Sequence, residues 1–544
     1  MNNKILIRSN AIFDGVNKDA YSGCLLIEGN TISKVIMGSD GTELIDDTTK
    51  VLDYGNNMVM AGFIDDHDHF FDGTVTASDH MCDISAATSE TEAVEMLKEY
   101  YSTHPTEKRI RAIGWFPAFW NNAPLPTCRS LDEAFPDIPV YCIAVDFHTF
   151  WCNSLAIEES GYTQDSVFDS GYVGKFEDGT LNGLIFEPQA FTKAKAKCFE
   201  FSEEEQAENL MALIEEIVSN GVTSVAEMSA SDYVGGEATP LNAALKMSEK
   251  GELNCRVHIY SDLFNYDDFT STKEFAEAHS NDMVRICGLK SFVDGVSATY
   301  TAYLLDPYTD RPDTRGDGCP VIAPDVLSRK VTAANSIGLP VRLHCIGDAA
   351  VRQALDAFEA SRKQNGDHGC KNTIEHIETI HPDDLPRFAE LDVIASSEPL
   401  TLPQENFEKV IRCGEERCRW EWPYRSLLDA GAKLAFGSDY PVVGFNPYPT
   451  IYAAATRCFE DGKPCSVNPE ECITVYEALM AYTLGAAEVF DRAHELGTLE
   501  EGKLADITVV DRNLLTVPVQ EINDAKSLMT MVDGKIVYER ASNN

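Results

Sequence analysis

Apolar residues near both ends of the chain come in short runs broken by polar positions. Ile5 to Ile7, Cys24 to Ile27 and Ile32 to Met37 are punctuated by Gly15, Gly23 and Gly29, and Asp506 to Val510 and Val532 to Tyr538 repeat the pattern. Alternation of this kind predicts half-buried strands. Strands confined to the termini leave unpaired edges unless they find each other. The simplest arrangement is one small β-sandwich domain built from residues 1–58 and 490–544, enclosing a main domain over residues 59–489.

The pattern changes in the middle. Ser202 with Glu205 forms a capping-box signature. Leu210, Ile214 and Ile217 then recur on one helical face, and Gly221 can end the helix. Apolar runs follow at Ser224 to Met228, Arg256 to Tyr260, Val284 to Phe292, Val341 to Ile346, Asn372 to Ile377, Val393 to Ser396 and Lys433 to Gly437. Helical stretches such as Pro324 to Asn335 and Ala349 to Ser361 separate several of them. With Phe63 to His67 counted first, the strand–helix alternation predicts an α/β fold of the (β/α)8 TIM-barrel type. Ile110 to Gly114 and Pro139 to Val145 also read as strands, and both are assigned to an insertion over residues 109–197, after the first barrel strand. A doubly wound open sheet is the alternative, although no glycine-rich dinucleotide fingerprint opens any unit.

Polar residues interrupt this pattern at telling places. Phe63-Ile64-Asp65-Asp66-His67-Asp68-His69 delivers two histidines to a strand end, and side chains at i and i+2 of a strand share a face. The fifth and sixth strands end in His344 and His376, the eighth runs into Asp439, and the fourth carries Lys290 inside an apolar run. Catalytic groups of a barrel collect at the C-terminal ends of its strands. Either His344 or His376 alone reads as an ordinary hydrogen-bonded side chain. Together with His67, His69 and Asp439 they supply the nitrogen and carboxylate donors that divalent zinc or manganese prefers, for one or two ions.

Lys290 has two readings. Desolvated beside cations, its amine becomes reactive and can take up carbon dioxide to give a carboxylated lysine that bridges two metals; otherwise it is a plain ammonium paired with Asp294 or Glu227. Asp439 is the acid–base candidate, able to take a proton from the attacking water and return it to a leaving atom. His376 and His344 are further catalytic candidates, placed to stabilise charge on a carbonyl oxygen.

Charge and cysteine content narrow the setting. With 88 acidic against 44 basic residues the net charge is −44, which disfavours nucleic acid and anionic membranes as partners. The 16 cysteines are spread through apolar runs, as expected of buried thiols in a reducing compartment. Cys413 and Cys418 lack a second pair at zinc-site spacing. Met1 to Asn10 lack a signal-peptide core, and no apolar run is long enough to span a bilayer. The expectation is a cytoplasmic enzyme acting on a small molecule, with a homodimer as its expected assembly.

The sequence resembles the amidohydrolase superfamily, and specifically its YtcJ-like branch, which includes N-substituted formamide deformylases. The resemblance rests on Ala61-Gly62-Phe63-Ile64-Asp65 with His67-Asp68-His69, His148-Thr149-Phe150-Trp151-Cys152-Asn153-Ser154, Asp178-Gly179-Thr180-Leu181-Asn182-Gly183 and Leu343-His344-Cys345-Ile346-Gly347-Asp348. It continues through Ile374-Glu375-His376, Arg425-Ser426-Leu427, Ala435 to Val442 and Leu504-Ala505-Asp506. It implies a metal-dependent barrel hydrolase acting on non-peptide carbon–nitrogen bonds, with His67, His69, His344, His376 and Asp439 at the metal centre. Two departures stand out. Asp68 replaces an apolar residue between the first histidines, and Glu398 stands where the branch usually has glutamine.

The insertion is rich in pocket-forming types. Trp115, Trp120, His148, Trp151, Asn153 and Glu187 are expected to contact substrate, with Arg315 or Arg425 available for a carboxylate. A lactonase or phosphotriesterase-like metallohydrolase would use much the same strand-end residues, and a non-catalytic binding protein would need that set broken.

Overall fold

The computed structural model describes residues 4–116, 120, 124–144, 149–168, 171–186, 188–228, 239–263, 268–405 and 408–541. Its largest compact unit contains an eight-stranded parallel sheet. The strands, in order, are β1 (Phe63–Asp68), β2 (Val222–Glu227), β3 (Arg256–Asp262), β4 (Val284–Phe292), β5 (Val341–Cys345), β6 (Thr373–His376), β7 (Ile394–Ser397) and β8 (Lys433–Phe436). Each pairs in parallel with the next. The eight runs read from the sequence are these eight strands, and the arrangement is a TIM-like barrel.

Closure between β8 and β1 is made by the residues that leave β8. The amides of Ser438 and Asp439 donate to the His67 carbonyl at 3.2 and 2.7 Å, and the His69 amide donates to Tyr440 O at 2.9 Å. The seam therefore holds His67, His69 and Asp439 at fixed spacing. Gly437 permits it: a Cβ there would lie 2.5 Å from the His67 nitrogen, closer than any side chain tolerates.

Both chain ends contribute to one further sheet. Its order runs Lys535–Glu539, Ser527–Val532, Ile507–Val510, Met58–Ala61, Lys4–Phe13, Tyr21–Glu28, Thr31–Met37. Thr49–Asp53 pairs alongside Lys4 to Arg8 and Met58–Ala61 pairs further along the same strand, so the sheet branches there. Ile5, Ile7, Leu25, Val59, Ile507, Val509 and Met529 fill its core. The buried Arg256 guanidinium at the start of β3 pairs with Asp506 at 2.7 and 2.9 Å and with Asp533 at 3.2 Å, tying barrel to sheet.

A second compact unit spans residues 72–213 with 237–240. It has its own six-stranded sheet, in the order Tyr172–Lys175, Leu181–Phe186, Thr149–Cys152, Val140–Ala144, Ile110–Trp115, Cys82–Asp83. It is wider than the 109–197 insertion, because Cys82–Asp83 extends the sheet and the helix Glu90–Thr103 adds Ala93, Val94 and Leu97 to its core. The Ser202/Glu205 capping box is formed in this unit, with the Ser202 amide donating to Glu205 at 2.6 Å and the Glu205 amide to Ser202 Oγ at 3.2 Å.

No described helix is long and apolar enough to cross a membrane. All the cysteines are free thiols, and Cys413 and Cys418 pack into an apolar cluster with Ala302, Leu304 and Tyr308.

Candidate metal centre

The strand-end histidines converge. Donor atoms of His67, His376 and Asp439 all lie within 4.8 Å of one another. His67 Nε2 is 3.5 Å and His69 Nε2 3.2 Å from Asp439 Oδ1, so both imidazoles of the His-x-His pair face one carboxylate oxygen. The His376 ring packs 4.8 Å from that of His67 and 4.5 Å from that of His344, centroid to centroid. His344 borders the group without joining its tight set, for its Nε2 points to Gly295 O at 3.4 Å.

Backbone conformation at two of these residues is costly. His376 has φ 70° and Asp439 φ 58°, in the left-handed region that side chains with a Cβ disfavour. Such outliers persist where the surroundings over-determine them, and they cluster at functional sites. Here the twist at His376 re-aims the strand end, so that Glu375 and His376 both face the centre although successive strand residues normally face opposite ways.

Buried carboxylates hold the far nitrogens of two histidines. Glu375 Oε2 accepts from His67 Nδ1 at 2.7 Å, and Arg342 grips the same carboxylate through two bonds of 2.7 and 2.9 Å while reaching Asp66 at 3.2 Å. Glu398 Oε2 lies 2.6 Å from His376 Nδ1. With Nδ1 so engaged, Nε2 of each ring is the nitrogen left for an ion, an arrangement common behind metal-ligating histidines. Asp65 accepts from the Ser438 and His67 amides at 2.8 and 3.4 Å, bracing the closing seam.

Electrostatics follow from this packing. Burial would raise the Glu375 carboxyl, but Arg342 and His67 outweigh it and hold it well below the usual carboxylate range. Burial, then the Lys290 ammonium, pushes His67 well down, which keeps its imidazole neutral. Burial acts the same way on His376, yet Glu398 overrides it and lifts the ring to about 9. Asp439 stays ionised despite burial, because His69, His67 and His376 surround it. Burial first, then the neighbouring carboxylates (Glu375, Glu398 and Asp65 for Asp66, Glu378 for Asp294), raises Asp66 to about 8 and Asp294 to about 7 against the Arg342 guanidinium and the backbone amides that favour their charge.

Several polar atoms of the centre have no hydrogen-bond partner among the described residues: His67 Nε2, Lys290 Nζ and Glu398 Oε1. Buried donors and acceptors are rarely left so, and an ion among them would satisfy a nitrogen and an oxygen at once. The donor set, imidazole with carboxylate, suits a divalent metal. Lys290 is fully buried, and neither partner proposed for it takes up its ammonium. Asp294 accepts instead from the amides of Tyr303, Ile346 and Gly347, and Glu227 from that of Phe71.

The expected pocket residues fare differently. Trp115, Trp120 and Trp151 are 1 %, 3 % and 0 % exposed and pack against one another, tilted or edge to face, in the core of the second unit. Each donates its indole N–H to a backbone carbonyl, of Cys142, Ala87 and Thr127 respectively, so they build that core and offer no open wall. Asn153 is equally buried and structural: it caps the helix Ser154–Glu159 and bonds Val140, Phe135 and Ile138. Arg315 is exposed and bonds Leu305 O and Tyr303 Oη, while Arg425 pairs with Asp429 and Glu477. His148 and Glu187 lie outside the described residues. The sequence marks Glu398 as a departure from the branch and Glu375 as part of a matching motif, but not their contacts with His376 and His67. Those contacts show only once the strands are laid side by side.

Comparison with known proteins agrees with this geometry. A model of the amidohydrolase family matches residues 50–538. The YtcJ protein of Bacillus subtilis (strain 168) is 27 % identical over 91 % of both chains, and the N-substituted formamide deformylase of Arthrobacter pascens is 24 % identical over 96 % of both. Among solved structures, an uncharacterized metal-dependent hydrolase from Pyrococcus furiosus superposes with a TM-score of 0.77 at 26 % identity, covering 94 % of this chain and 100 % of its own. The chain belongs to the amidohydrolase family of metal-dependent hydrolases, in its YtcJ-like branch.

Proposed function

We propose that the chain hydrolyses an amide-type carbon–nitrogen bond in a small, non-peptide molecule. The observation that carries this reading is the contact of Asp439 with both histidines of the His-x-His pair, inside the donor set it shares with His67 and His376. His67, His69, His376 and Asp439 would hold a divalent metal, zinc being the best match to the donors, with His344 and Lys290, if carboxylated, available to a second ion. When bound, such an ion supplies an activated water and polarises a carbonyl. Asp439, ionised and partly exposed, takes the proton of the attacking water and delivers it to the departing nitrogen. In a one-ion centre His344, beside His376 and kept neutral by burial, would instead be available to donate to the carbonyl oxygen as negative charge develops there. Glu375 and Glu398 fix the rings they hold.

The nature of the bond draws support from the deformylase relative, whose name places it on N-substituted formamides. The test is a screen of zinc-loaded protein against N-substituted formamides, N-acyl amines, hydantoins, lactones and phosphotriesters. Turnover is expected among the first three classes. Turnover confined to lactones or phosphotriesters would overturn the assignment to carbon–nitrogen bonds and leave the metal centre standing.

A further inference from the structure

We infer that Phe292 is a specificity-determining wall of the active site, contacting an aryl or branched-alkyl group attached close to the carbonyl under attack. The inference rests on the hydrolase reading above and adds to it the class of substituent the site accepts.

Phe292 is the last residue of β4 and follows Lys290 by two, so both side chains share the inward face of the barrel. Lys290 is fully buried, whereas Phe292 is 36 % exposed, which marks where the packed interior gives way to the open mouth. In the neighbouring strand its register partner is His344. The two rings lie 5.0 Å apart, tilted by 43°, and the ring centroid of Phe292 is 5.4 Å from Lys290 Nζ. An exposed phenylalanine thus abuts two candidate residues of the metal centre, at the layer where such barrels otherwise place polar groups.

The apolar character continues along the exit from β4. The Val321 amide donates to Val293 O at 2.9 Å, which brings Val321, 52 % exposed, against the strand end, and Val296 is 40 % exposed just beyond. His69 and Asp439 form the polar side of the centre. A ligand that places its carbonyl among the imidazoles and Asp439 therefore finds an apolar surface beside it, and burying exposed apolar area against an aromatic face favours a ring or branched alkyl group there. The indoles of the second unit, sealed in their own core, leave this role open.

A pair of chelating probes separates the wall from the chemistry. Acetohydroxamate and benzohydroxamate present the same metal-binding group and differ only in a methyl against a phenyl. Wild-type protein loaded with zinc should bind benzohydroxamate about tenfold more tightly. Phe292→Ala should abolish that preference and leave acetohydroxamate affinity and zinc content unchanged; Phe292→Leu, which keeps apolar bulk without the ring, should fall between. Retention of the full preference in Phe292→Ala overturns the proposal, as does equal binding of both probes by the wild type, and in either case the hydrolase reading survives. If the wild type binds neither hydroxamate, the metal-hydrolase reading fails and the wall falls with it.

Discussion

Glu375 accepts from Nδ1 of His67 across 2.7 Å, with both side chains sealed from solvent. Arg342 keeps that carboxylate charged and holds both of its oxygens, so the direction of His67 Nε2 is set from the far side of the ring. Glu375→Gln keeps the shape and loses the charge that both His67 and Arg342 use. Zinc affinity, measured by titration of metal-free protein, is expected to fall roughly 10–100-fold, the usual effect of removing such a partner. Circular dichroism should stay near wild type. Unchanged affinity would show that His67 is oriented by packing alone.

Asp439 is expected to separate metal binding from turnover. Asp439→Asn still offers an oxygen to an ion but cannot accept a proton at neutral pH. Zinc content should be partly retained while turnover drops by roughly 10²-fold or more. A variant that keeps its zinc and turns over normally would move the proton transfer to another group, His376 first.

How much of this was legible in the sequence follows from how each residue's side chain is determined. The barrel strands were visible because each apolar run stops at a polar residue, and the period of two puts His67 with His69, and Arg342 with His344, on one face. Glu375 was hidden by the same rule. As the neighbour of His376 it should face away, but the register pairs Glu375 with His344 on the inward face, and it is His376 that the left-handed turn brings round to the same side. Glu398 lies beyond the end of its strand, where periodicity gives no direction. The tryptophans misled because residue type does not separate core from pocket: an indole suits either, and burial depends on which backbone carbonyl can take its N–H. The six-stranded sheet of the second unit was only partly legible, since its edge strand Cys82–Asp83 is two residues long.

The link between Arg256 and Asp506 governs stability and not chemistry. Asp506→Ala leaves the guanidinium buried, with Asp533 at 3.2 Å as its one remaining carboxylate among the described residues and the Asp282 carbonyl at 3.0 Å as an uncharged acceptor. The expected loss is about 3–5 kcal/mol, typical of removing one partner of a buried pair. Denaturant unfolding followed by fluorescence measures it. Zinc affinity of the folded fraction should not change, because Arg256 sits at the opposite end of its strand from the metal centre. A loss below about 1 kcal/mol, the scale of an exposed pair, would mean that Asp533 or water compensates.

Lys290 offers the sharpest choice. A fully buried ammonium without a hydrogen-bond partner among the described residues is costly, and burial lowers its pKa from the ordinary lysine value. One resolution is carboxylation, which replaces the orphaned cation by an anion with two oxygens facing the ion site. Another is an uncharged amine. Lys290→Ala tests between them. If the lysine is carboxylated, the variant should lose zinc stoichiometry and activity together, and added acetate or propionate should restore part of both by filling the vacated space with a carboxylate. Lys290→Met, which matches the stem but offers no anion, should not be rescued, since its side chain occupies that space. If the lysine is a spectator, Lys290→Met should instead bind zinc normally and unfold at a higher temperature, having shed an unpaired polar group from the core. Mass spectrometry under native conditions gives an independent reading. A wild-type mass increment that matches carbon dioxide, and disappears in Lys290→Ala, favours the carbamate.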